Sequence, residues 1–144
     1  MKKVLVSFFA ILFLSAVFSC SSVPEKNPSL QRQWMLVSFD PFSKEGFIKN
    51  KAEINLTGTM EKGKIKGGAF MGCNNIFFTS EFKKDGKVKI SEVGSTLKAC
   101  QDMDLETAFA QKFEQMTHYS VEGHFLTLSD ESGNSMKFVA ADWD

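Results

Sequence analysis

The chain is poor in the residues that carry chemistry. Its 144 residues include three cysteines and two histidines. A zinc site takes about four ligands. Cys73, Cys100, His118 and His124 are the only set on offer, with no closely spaced cysteine pair, so no metal centre is expected. There is no Gly-x-Ser-x-Gly elbow, and neither histidine has an evident nucleophile beside it. Gly63, Gly67, Gly68 and Gly72 make a glycine-rich stretch, but it lacks both Gly-x-Gly-x-x-Gly and Gly-Lys-Ser/Thr and so cradles no phosphate. The formal charge is zero, without the basic stripe that nucleic acid requires. The apolar run Val4 to Phe18 falls short of the roughly 20 residues that span a bilayer. No catalytic residue, cofactor or nucleic-acid partner is expected.

What is present begins with an address. Met1-Lys2-Lys3 and the apolar run form a signal of positive and hydrophobic regions. Val17-Phe18-Ser19-Cys20 resembles a bacterial lipobox, with Phe18 bulkier than usual at its position. Residues 1–19 are therefore expected to be a lipoprotein signal peptide and Cys20 the lipidation site. A secreted protein cut near Ser19 and an uncleaved anchor are the alternatives. Triple acylation would hold the chain firmly on a membrane, and Ser21, in place of Asp, favours the outer membrane, facing the periplasm. Lys2 and Lys3 leave with the signal, so the mature chain carries −2. Residues 20–29 read as a lipidated, flexible tether, and residues 30–144 as one monomeric domain.

Within that domain strand period dominates. Ala52, Ile54 and Leu56 alternate with polar residues, as do Val88 and Ile90, and Leu126 and Leu128. Gln33–Phe39, Lys64–Gly68, Ile76–Phe82, Tyr119–Glu122 and Met136–Val139 are further strands. Turn residues at 84–86, 122–124 and 130–134 suit hairpins. Leu105, Phe109, Phe113 and Met116 form one helical stripe, with Asp102 or Asp104 as its cap. The expected fold is α+β: a strongly curved antiparallel sheet or partly open barrel of about 7–8 strands with one covering helix. Residues 40–50 read as a surface loop, and the glycine-rich stretch as a bulged, bent strand. Adjacent Phe77 and Phe78 must point to opposite faces.

With Cys20 lipidated, Cys73 and Cys100 remain in an oxidising compartment. A disulfide is expected, closing 27 residues, against the alternatives of free thiols or a redox pair. The order Trp34-x-Leu36, Gly72-Cys73-Asn74-Asn75, Ser95-Thr96-x-x-Ala99-Cys100, Met103-x-x-Glu106-x-x-Phe109 and Tyr119-x-Val121-x-Gly123 resembles the META domain of HslJ-type heat-shock lipoproteins, over roughly Leu30 to Val139. Lys98 replaces a methionine common between the Thr and the Cys. The resemblance implies a small α+β envelope domain, linked to stress or antibiotic tolerance, without an enzymatic mechanism. Gly72, Cys73, Asn74, Thr96 and Cys100 match its motif. Asn74 and Thr96 can hydrogen-bond a bent backbone around the bridge. An envelope protein is the expected partner; a carrier of an apolar molecule or lipid in a phenylalanine-lined cavity is the alternative.

Overall fold

A computed structural model describes residues 26–143. Residues 1–25, on which the expected signal peptide and lipidation site at Cys20 fall, lie outside the described residues. The first turn among the described residues is one in which Leu30 and Gln31 donate backbone N–H groups to Asn27 O, three residues before the domain start expected at Leu30. The elements follow as β1 (Gln33–Phe39), α1 (Lys44–Asn50), β2 (Glu53–Asn55), β3 (Met60–Glu61), β4 (Lys64–Phe70), β5 (Asn75–Phe82), β6 (Val88–Ser95), α2 (Asp104–Phe113), β7 (His118–Glu122), β8 (Phe125–Ser129) and β9 (Ser135–Ala140).

Every strand pairing is antiparallel, in the order β6-β5-β4-β2-β1-β9-β8-β7, with β3 hydrogen-bonded to β4 off this path. The sheet curls until its two edge strands meet. Lys87 and His118 form a bridge, Val88 N donates to Thr117 O, and Tyr119 N donates to Gly86 O. Phe82 and Tyr119 pack edge to face across this seam. Register breaks between Leu36 and Ser38 and between Phe77 and Thr79 supply curvature, because a bulge bends and twists its strand. The other end stays open, and α2 lies there between the end of β6, from Val93 to Ser95 with Thr96 beyond it, and the β8–β9 turn.

The inward-facing residues fill this half-barrel. Trp34, Phe109 and Phe138 are fully buried, and Leu105, Phe113 and Met116 complete the helical stripe against the sheet. The Trp34 indole N–H donates to Leu30 O, so the ring is buried without an orphaned donor. Phe78 meets Phe113 edge to face and Phe109 stacks on Phe113. The phenylalanines thus pack on one another. Phe77, on the opposite face from Phe78, is 54% exposed.

Three expectations are corrected. Residues 40–50 are not all loop: the Ser43 hydroxyl accepts from Gly46 N, α1 follows, and Phe47 is buried. Among the described residues there are two helices, where one was expected. Seven residues with a single buried position leave no periodicity to read. Second, α2 has no side-chain cap; Met103 holds the cap position, and neither Asp102 nor Asp104 bonds there. Third, the glycine-rich strand is not bulged, since β4 pairs with β5 in unbroken register from Lys64 to Phe70. Gly67 instead makes room for the ring of Phe78, its register partner, which a Cβ would meet at 2.6 Å.

Two surface carboxyls hold chain in place, one within a turn and one between distant segments. Asp130 accepts from the Asn134 side chain and from Ser132 N and Asn134 N, and the Asn134 bond above all holds its pKa below the ordinary 3.8. Asp142 accepts from Arg32, which lowers its pKa likewise.

Candidate functional site

The turn between β4 and β5 brings Gly72, Cys73 and Asn74 against the segment that follows β6. Gly72 has φ +119°, and a Cβ there would fall 2.6 Å from Asn50 Oδ1. Only glycine suits both the backbone and the space. Cys73 is buried and bonded to Cys100, which is exposed; their Cα atoms stand 6.1 Å apart. The bridge joins the β4–β5 turn to the loop preceding α2.

Asn74 is the hub of this arrangement. It is 2% exposed. Its Oδ1 accepts from Lys98 N at 2.7 Å and from the Thr96 hydroxyl at 2.8 Å. Its Nδ2 donates to Lys98 O at 3.1 Å and to Glu106 Oε1 at 2.7 Å. An asparagine side chain has two donors and two acceptor positions, and here all four are used. Thr96 passes the connection on, its Oγ1 accepting from Asn75 N.

Glu106 completes the cluster from the first turn of α2. It is 6% exposed. One oxygen accepts from Cys73 N at 3.2 Å and Asn74 N at 2.7 Å; the other takes the Asn74 amide. Because buried polar groups must find partners, the turn presents its N–H groups to a helix side chain in place of solvent. In the sequence Glu106 belongs to the family pattern and otherwise reads as an acidic residue near a helix start, suited to the helix dipole. A sharper signal was present. Positions three and four apart share a helix face, so Glu106 sits over Phe109 on the flank of the buried stripe, where a carboxylate needs donors.

The structure thus brings Gly72, Cys73, Asn74, Thr96 and Cys100 together and adds Glu106 and the Lys98 backbone. The histidines are kept apart. His118 begins β7 and its Nδ1 contacts the Thr117 hydroxyl; His124 lies in the β7–β8 turn, stacked on Trp143. Among the described residues no group of three or more His, Cys, Asp or Glu is placed to hold a metal. The polar valences around Asn74 and Glu106 are spent on one another, which suits a clamp.

Beside the clamp runs an open cleft of about 550 Å³ between β6, the following loop and α2. Ile76, Val93, Ala99, Met103 and Ala110 give it an apolar lining, and Leu97 at its rim is 97% exposed. A second cleft of about 650 Å³ lies over β3, β4, β5 and β6, walled by three lysines, two glutamates and hydroxyls. Neither has a phenylalanine in its walls.

A family model described as META domain matches residues 28–143. No curated protein matches the sequence. Among solved structures, an NMR structure of a protein from Burkholderia xenovorans superposes with a TM-score of 0.60 at 19% identity, over 88% of this chain and 97% of that one. A crystal structure of a DUF4847 family protein from Bacteroides vulgatus gives 0.52 at 14% identity, over 81% and 97%. At these identities the likeness is one of fold.

Proposed function

This chain belongs to the META domain family, and on that premise we propose that it is a non-catalytic, lipid-anchored envelope module that holds a partner protein in the cleft between β6 and α2. The observation that carries this reading is the cleft itself. Its apolar lining lies on a rigid support: the Cys73–Cys100 bridge and the Asn74–Glu106 bonds fix the loop bearing Leu97, Ala99 and Met103 to both the sheet and the helix. Contiguous apolar surface held open in this way is the mark of a contact site. The clamp accounts for the motif residues without assigning them chemistry. Anchoring at Cys20 and a role in stress or antibiotic tolerance belong to the same proposal, on the lipobox and the family resemblance.

A photo-crosslinking residue in place of Leu97, in intact cells, tests the cleft. One recurrent protein adduct is expected, absent when the crosslinker replaces Ser132 on the β8–β9 turn. Equal adducts at the two positions would overturn the reading. The mass of the mature N-terminus tests the anchor, with a triacylated Cys20 expected.

A further inference from the structure

Charge is distributed unevenly along this chain. From Met60 to Ser95 there are seven lysines and four acidic residues, a net +3; from Cys100 to Asp144 there are nine acidic residues and two lysines, a net −7. The topology turns this into a surface. The first segment forms β3 to β6 at one end of the strand order, and the second forms α2 and β7 to β9. On the outer face of the basic half, Lys62, Lys64 and Lys66 wall the 650 Å³ cleft with Thr59, Thr79 and Ser91. Glu61 and Glu92 also border it, and Glu92 accepts from the Thr79 hydroxyl. Among the described residues, none of these three lysines lies within ion-pair distance of a carboxylate.

Phe77 shares that face. Its register partners are Gly68 on β4 and Gly94 on β6, and Thr79, two residues on, pairs with Lys66. Its ring lies over Gly94, where a Cβ would run into it, and remains 54% exposed. A half-exposed aromatic among unpaired lysines is the composition of a bilayer contact: the ring sits at the headgroup boundary and ammonium groups reach the phosphates. A soluble anion would have no use for the ring.

The chain's point of entry lies on the same side. Gln31 Nε2 donates to Gly58 O at 2.8 Å, and the next residue, Thr59, forms part of the cleft wall. The six residues from Cys20 to Glu25 reach at most ~20 Å when extended. An anchor at Cys20 would therefore keep the bilayer close to the lysine face.

We propose that the outer face of β3 to β6 rests on the anionic phospholipid headgroups of the leaflet in which Cys20 is anchored, with Lys62, Lys64 and Lys66 on phosphates and Phe77 at the headgroup boundary. This rests on the lipid-anchored reading. It gives the domain one orientation on the membrane, with the acidic half turned away.

The test is amine footprinting of the full lipidated chain in vesicles containing phosphatidylglycerol, and in vesicles of phosphatidylcholine alone. Each lysine near an anionic surface gains on the order of fivefold in occupancy. Lys62, Lys64 and Lys66 should therefore label about fivefold more slowly on the anionic vesicles, relative to Lys44 and Lys112 elsewhere. High salt should abolish the difference, since screening shortens the field to a few Å. Equal labelling on both kinds of vesicle overturns the inference, whatever the N-terminus carries. The N-terminal mass of the same sample reads the anchor separately: protected lysines on an unacylated chain retain the lysine face and remove the anchor.

Discussion

Asn74 and Glu106 stand 32 residues apart and meet through two hydrogen bonds of 2.7 Å, one from the asparagine backbone and one from its side chain. Each removes the other's need for water. Glu106→Gln puts an amide N–H where two backbone donors now point and should cost about 1–3 kcal/mol. Asn74→Asp replaces two donors with acceptors facing Glu106 and Lys98 O, and should cost more than about 3 kcal/mol. Urea denaturation reads both. An Asn74→Asp variant as stable as the parent would contradict this account of the clamp.

The bridge should behave as one unit. Closing 27 residues corresponds to about 3.5 kcal/mol in the chain-entropy model. Cys73→Ser and Cys100→Ser should each lose about that much, and combining them should add little. If Cys100→Ser is far milder than Cys73→Ser, burial of Cys73 and not the crosslink carries the effect.

Two glycines should respond to different degrees. At Gly72 alanine meets both φ +119° and the Asn50 side chain, and thermal unfolding should show a loss of about 1–3 kcal/mol. At Gly94 the nearest atoms belong to the edge of the exposed Phe77 ring, which can swing outward. Gly94→Ala should shift stability by less than about 1 kcal/mol while changing the environment of Phe77.

Acid should loosen the two tied carboxyls. Asp130 and Asp142 have pKa values below the ordinary 3.8, so below that pH the unfolded chain binds more protons than the folded one. Their contribution is complete about a pH unit above the ordinary value and is lost as the pH falls from there through the lowered values. Asp130→Asn and Asp142→Asn should flatten the stability curve in that acid limb, with no added slope near neutrality.

These predictions draw on both the legible and the illegible parts of the sequence. β1 and α2 can be read because hydrophobic periodicity runs over several residues of each, and Phe77 beside Phe78 announces two faces. The two-residue β3 and the single-turn anchor of α1 at Phe47 leave too few residues for any period. The partnership around Asn74 is half visible. Asn74 and Thr96 stand out as hydrogen-bonding types beside cysteines, whereas Glu106 passes for an ordinary acidic residue at a helix start. Only the approach of the β4–β5 turn to α2 gives it a partner, and that approach depends on the whole curl of the sheet.

The pairing of β1 with β9 sets a condition on the order of events during synthesis. β1 lies among the first residues of the domain, while its neighbour Ser135–Ala140 is nearly the last. A ribosome that has released residues 1–130 has supplied β1 with β2 alone, and Arg32 without Asp142, its partner 110 residues away. Non-local pairing of this kind must await the chain that completes it. The half-barrel therefore closes late, when its final strand arrives.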